Sequence, residues 1–183
     1  MDLNSLGNIS RAQRDTPGAV AALREAFEMG RRTIGEDRLN TIAFEVNLGR
    51  ALQEGGKTEE GEVLLRQALA RLDTTMAEHR QWYVNARSGL GLALVSQGQA
   101  AQARDLLEPT VDFARRQLGE AHLRTTDARL ALGRALLATH EYGRAQPLLE
   151  TAAAAFEAQR KVQPYFAAEA AAALAELRRR RGG

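Results

Sequence analysis

Apolar residues recur along this chain at steps of three and four, and polar clusters interrupt them at regular intervals. Leu48 and Leu52, then Leu64, Leu65, Ala68 and Leu72, follow the spacing of one face of a helix. Between such stretches stand RDTPG at 14–18, EGGKT at 54–58 and SQGQA at 96–100, all turn signals. Thr16 before Pro17 reads as an N-cap with proline at the first helical position, and Thr58 followed by Glu59 and Glu60 reads as a similar start. Each pair of apolar stretches predicts a helical hairpin, with first helices beginning near Leu39, Gln81 and Thr125. Strand-type alternation is hard to find anywhere.

The hairpins repeat. A Leu-Gly phrase returns at a constant spacing of 42 residues, with its glycine at Gly7, Gly49, Gly91 and Gly133. Twelve residues after each glycine comes a small residue (Ala19, Gly61, Ala103, Ala145), and four further on a leucine (Leu23, Leu65, Leu107, Leu149). Ala26, Ala68, Thr110 and Ala152 follow three beyond. Glycine inside a helix costs about 1 kcal/mol against alanine. Its return in register implies that the missing side chain lets the partner helix approach, with the small residue twelve positions on as the matching face. One more step reaches Ala175 inside AEAAAALAELRRRR, a single closing helix. The pattern predicts an all-α solenoid of four hairpins (1–37, 38–79, 80–121, 122–163) and a capping helix (164–181), nine helices in one domain.

Leu-Gly, a small residue twelve on, a leucine four later and alanine three after that together resemble the tetratricopeptide repeat, whose common period is about 34. The additional residues lie in IGEDRLNTIAFEVNLG (34–49), MAEHRQWYVNARSGLG (76–91) and LGEAHLRTTDARLALG (118–133). These are similar to the linkers of the kinesin-light-chain type of repeat, which run Leu-Gly-x-Asp-His-Pro into Asn-Asn-Leu-Ala. The chain departs from that pattern where Leu39, Gln81 and Leu123 replace the proline and only His122 keeps the histidine. The asparagine pairs that hold an extended peptide in that family read here as Asn4-Ser5, Val46-Asn47, Ser88-Gly89 and Leu130-Ala131. The resemblance implies a right-handed superhelix and a non-catalytic scaffold that binds a partner's peptide or helix on its concave face. It also implies a setting in a bacterial signalling or regulatory protein, for example C-terminal to a kinase domain.

In such a superhelix the first helices line the concave face, and positions stepping i, i+4, i+7 point into it. These are Asn4, Asn8 and Arg11; Val46, Arg50 and Gln53; Ser88, Leu92 and Val95; Leu130, Arg134 and Leu137. One half of the groove is then polar and basic and the other apolar. The apolar half either packs between neighbouring first helices or serves self-association as a homodimer. Glu45, Arg87 and Arg129 form a further column, read either as a charge ladder between repeats or, with Arg50 and Arg134, as recognition of a small peptide or acidic ligand.

Composition narrows the function. The 183 residues carry 25 basic against 23 acidic side chains, too balanced to argue for nucleic acid. Cysteine is absent, and His79, His122 and His140 are dispersed without clustered carboxylates, so neither metal nor cofactor is expected. No phosphate loop, nucleophile elbow or HExxH pattern occurs, which argues against an enzyme. Trp82 and Tyr83 open a first helix as packing residues, and the arginines at 178–181 sit where a helix favours positive charge. Without an apolar span or a signal-peptide pattern the expectation is a cytoplasmic protein with no membrane insertion. The abrupt start before Gly7 suggests the C-terminal part of a longer protein.

Overall fold

The computed structural model describes residues 3–13, 15–74 and 76–182, with the side chains of all of these except 8, 12 and 182. Among the described residues the chain forms nine helices and no strand: α1 (Leu3–Ala12), α2 (Thr16–Thr33), α3 (Leu39–Glu54), α4 (Thr58–Arg71), α5 (Ala77–Ser96), α6 (Ala100–Leu118), α7 (Leu123–Ala138), α8 (Tyr142–Ala158) and α9 (Pro164–Gly182). Odd-numbered helices are the first helices of the hairpins. α3, α5 and α7 each pack on their own second helix and on the second helix of the hairpin before, α9 packs on α8, and first helices also pack on one another (α3 on α5, α5 on α7, α7 on α9). The architecture is an all-α solenoid.

This stacking divides the helices into two kinds. Second helices keep a narrow buried stripe, such as Ala19, Ala22, Leu23, Ala26 and Phe27 of α2. The inner first helices α3, α5 and α7 are enclosed far more fully: in α3 every residue from Thr41 to Leu52 except Phe44 is buried, polar ones included. A helix enclosed on three sides must either bury polar side chains with partners or carry none.

The repeating glycines sit where the two helices of a hairpin meet. A Cβ on Gly133 would lie 2.6 Å from Leu149 Cδ2, one on Gly91 2.5 Å from Leu107 Cδ1, and one on Gly7 2.5 Å from Leu23 Cγ. The leucine sixteen positions on is therefore the main occupant of the space each glycine leaves, rather than the small residue at twelve. The first two hairpins also bring the backbones into the expected pairing, where a Cβ on Gly7 would lie 3.3 Å from Ala19 O and one on Gly61 2.6 Å from Gly49 O.

The helix starts differ in detail from the expectation. Asp15, not Thr16, caps α2, its carboxylate accepting from Gly18 N at 3.0 Å, because the longer anionic side chain reaches the free amide. Thr58 is the first residue of α4, with Lys57 at the cap position. α5 starts at Ala77, ahead of Gln81, since AEHR contains no helix breaker. No helix among the described residues is long and apolar enough to cross a membrane.

The turn inside the second, third and fourth hairpins repeats too. Gly56, Gly98 and His140 occupy the left-handed region at φ 80°, 76° and 62°. The next residue donates back to Leu52 O at 2.9 Å, Leu94 O at 2.8 Å and Leu136 O at 2.8 Å. His140 is the one non-glycine there, and its ring meets Tyr142 Oη at 2.6 Å from Nδ1. A left-handed non-glycine residue costs about 1–2 kcal/mol. His140→Gly is expected to raise the denaturation midpoint by the equivalent of about 1 kcal/mol. A lowered midpoint would show that the contact with Tyr142 outweighs the backbone strain.

Candidate functional site

The first helices line the inner face of a curved array, since α1 at one end touches α9 at the other. At the centre of that face lies Arg50, 1% exposed, on α3. Its guanidinium passes over α5 and reaches α7, where Nη1 and Nη2 donate to the Asp127 carboxylate at 2.5 and 3.1 Å. Nη1 also donates to Asn85 Oδ1 at 2.9 Å, and Phe166 of α9 stacks 5.6 Å away. Gly89 clears the route across α5, because a Cβ there would lie 2.9 Å from Arg50 Cγ. Burial works against the charge on Arg50, but Asp127 and Glu54 outweigh it and hold its pKa above the ordinary arginine value.

The bonding follows the repeat. Residues 35 positions apart meet across neighbouring first helices, Arg50 with Asn85 and Arg134 with Glu169, the latter at 2.6 Å. In the repeat between them the donor position is Leu92, which cannot bond Asp127 in register. Arg50 therefore takes Asp127 from two repeats away.

The remaining expected groove residues are mostly engaged or covered. Asn4 Oδ1 accepts from Asn47 Nδ2 at 2.9 Å, and Arg11 makes a two-point pair with Glu54 at 2.8 Å for both bonds. Asn8 lies outside the described side chains. Gln53 is half-buried with no partner for Oε1 among the described residues. Val46, Ser88, Leu130 and Leu137 are buried, contrary to the expectation that they face an open groove, and Leu92 and Val95 are half-buried against the core. Packing of first helix on first helix closes much of that part of the face, the alternative in which the apolar positions pack between neighbouring first helices.

The column of Glu45, Arg87 and Arg129 forms no ladder between repeats. Glu45 is fully buried, bonded to Arg71 of its own hairpin, and burial raises its pKa. Arg87 donates to Thr110 Oγ1 at 2.6 Å, to Tyr83 Oη at 2.9 Å and to Leu106 O at 2.8 Å. Arg129 pairs with Glu120 in the linker before α7. Each side chain at this position faces its own hairpin or linker, where the neighbouring repeat is out of reach. Arg50, Arg87, Arg129 and Arg134, the candidates for an acidic ligand, are all committed inside the protein.

The open site lies beside them. A cavity of about 260 Å³ is lined by side chains from all five first helices, among them Arg11, Asn47, Trp82, Arg124 and Tyr165. Arg124 makes no ion pair among the described residues; its side chain donates to Asn85 Oδ1 at 3.2 Å and lies 5.9 Å from the Trp82 ring. Burial, with Arg50 and Arg11 nearby, pushes its pKa down to about 10 against the pull of Asp127, so it stays charged at neutral pH. Arg11 lies 5.8 Å from the Tyr165 ring. Burial also pushes the Tyr165 hydroxyl up, so it remains a neutral donor. Arg124 went unnoticed in the sequence, although Trp82, Arg124 and Phe166 stand 42 apart, an aromatic–cation–aromatic column open to the same reading as the glycines. No group of three acidic or histidine side chains that could hold a metal occurs among the described residues.

A family model for the tetratricopeptide repeat matches residues 1–74 and 82–158. Among solved structures, the nearly identical TPR-like repeats of a protein assigned as a kinesin light chain in Podosopora anserina share 27% identity over 88% of this chain and 75% of that one, with a TM-score of 0.59. BtubC (BKLC) from P. vanneervenii is 16% identical over 98% of this chain and 72% of its own, with a TM-score of 0.67, and its likeness is one of fold. No curated protein sequence matches the chain significantly.

His122 positions Arg124. It caps α7 by accepting from the Arg124 amide at Nδ1, 3.1 Å away, which requires a neutral ring. Burial and the Arg124 charge lower its pKa. The folded chain therefore binds this proton less readily than the unfolded one, where the value is about 6.5. Stability from this group is complete above that value and is lost as pH falls below it toward the depressed folded value. The melting temperature is expected to fall between pH 7.5 and 5.5, and to fall less in His122→Asn, whose amide caps without titrating. Identical pH profiles for the two chains would exclude this coupling.

Proposed function

The chain belongs to the tetratricopeptide repeat family, whose helical arrays bind protein partners, and from that premise we propose that it captures an acidic segment of a partner where its five first helices meet. The observation that carries this reading is Arg124: a half-buried guanidinium, without an ion-pair partner among the described residues, in the wall of an open cavity. Around it Arg11, Arg50 and Arg124 face Glu54 and Asp127, three cations against two carboxylates. A ligand carboxylate completes the balance and offsets the desolvation that Arg124 bears. A guanidinium fork suits a carboxylate at two points, and Trp82 and Tyr165 offer apolar walls for the carbon skeleton behind it.

The volume sets the scale. About 260 Å³ takes one acidic side chain or a chain terminus with its neighbour, not a whole helix. Recognition is then anchored at one buried charge, and the groove beyond contributes contact area. The site is held by the packed ends of helices, so little ordering accompanies binding. In this role the domain is a non-catalytic interaction module, and the setting we infer from its repeat type is a bacterial signalling or regulatory protein.

Panning a displayed random-peptide library against the protein is expected to enrich Asp- and Glu-containing sequences. Arg124→Gln should weaken the selected peptides about tenfold or more, the scale of a lost charge-assisted hydrogen bond, with the circular dichroism unchanged. Equal affinity for the folded variant would remove Arg124 from the site and this reading with it.

A further inference from the structure

Buried polar atoms without partners gather at one place in the second hairpin. Thr41 and Glu45 stand one turn apart on α3, both 0% exposed, and neither Thr41 Oγ1 nor Glu45 Oε1 makes a hydrogen bond among the described residues. Arg71 of α4 bonds the other carboxylate oxygen of Glu45 through Nη2, and its Nε is buried without an acceptor. Guanidinium and carboxylate thus meet at one point, although they can meet at two. Both side chains line a cavity of about 510 Å³ on the side of the second helices, where the α2 and α4 backbones stand apart. Phe27, Leu48 and Leu64 give the cavity apolar walls.

The equivalent positions of the next two hairpins are satisfied. In the third, Tyr83 and Phe113 replace Thr41 and Arg71 and pack edge to face, with ring centroids 5.2 Å apart. Arg87 replaces Glu45 there, and each of its nitrogens has an acceptor. In the fourth, Thr125 Oγ1 donates to Gly119 O at 2.7 Å and Arg129 pairs with Glu120. Of these three hairpins only the second leaves the positions open, and an unmet buried polar group costs stability in the free protein.

We propose that this cavity takes the carboxamide of a partner's glutamine or asparagine side chain. A primary amide carries two N–H donors and one carbonyl acceptor, the set that Glu45 Oε1, Thr41 Oγ1 and Arg71 Nε lack. Each charged alternative leaves one of them unmet. A guanidinium or ammonium has no acceptor for Arg71 Nε, and a carboxylate has no donor for Glu45. A main-chain peptide group also fails, because its trans geometry turns N–H and C=O to opposite sides. Glu45 is fixed at the floor, and Arg71, with its side chain 21% exposed, is the member that turns aside to admit the amide. The site is separate from the cavity around Arg124 and independent of what binds there.

The probe is N-acetyl-glutamine N-methylamide, titrated into the intact isotope-labelled chain and followed by NMR through the arginine Nε–H signals. The Arg71 signal is the one lost in Arg71→Lys. It is expected to shift saturably at millimolar probe, together with the backbone amides of Thr41 and Glu45, while the Arg87 signal stays in place. The glutamate and lysine analogues should bind about tenfold more weakly or worse, since each strands a buried group. Thr41→Val removes one acceptor at nearly constant shape and should weaken the glutamine probe about threefold or more at unchanged helicity. Absence of a saturable shift, equal binding of the three analogues, or indifference to Thr41→Val overturns the proposal.

Discussion

The structure depends on one ion pair that spans three helices. Arg50 leaves α3, crosses α5 above Gly89 and closes on Asp127 of α7, with both side chains 1% exposed. A pair this far from water is a poor source of net stability, because desolvating two charges cancels most of their attraction. Its value lies in geometry. Two repeats separated by a third can meet only if the intervening helix is thin at the crossing and the array is curved, and the charges are costly in any other arrangement. The clamp thus selects one curvature, and the stacking of Phe166 over Arg50 ties the last helix into it.

The proposed binding surface follows from that closure. With the middle of the inner face sealed, Val46, Ser88, Leu130 and Leu137 become core, and a ligand has access at the N-terminal ends of the later first helices. There Asn85 Oδ1 accepts from both Arg50 and Arg124 and links the structural cation to the half-buried one. Because Asp127 is committed to Arg50, Arg124 is left as the surplus charge. The clamp and the proposed recognition group share one hydrogen-bond network, so specificity in this array sits next to what shapes it.

Much of the fold was legible in the sequence because a period of 42 constrains it many times over. Each glycine, small residue and leucine was read against three equivalents, and nine helices follow from that register. The partner of each glycine was less legible, since spacing alone does not say whether a Cβ meets a backbone or a leucine side chain. The candidate site was harder to read still. Arg50, Arg87, Arg129 and Arg134 carried the right charge, but their partners lie 77, 23, 9 and 35 residues away. Whether an arginine is free or bonded is decided by curvature, which no local pattern encodes. Arg124 is the reverse case, a residue in register with two aromatics whose isolation appears only once Asp127 is seen to face elsewhere.

The most direct test of this account is a double-mutant cycle on the clamp, with Arg50→Met, Asp127→Leu and the combination measured by chemical denaturation. The account predicts that each single change costs about 3–5 kcal/mol by stranding a buried charge, and that the double change costs less than either. Additive losses, with a coupling energy below about 0.5 kcal/mol, would contradict it by showing that the two charges do not meet in the folded protein.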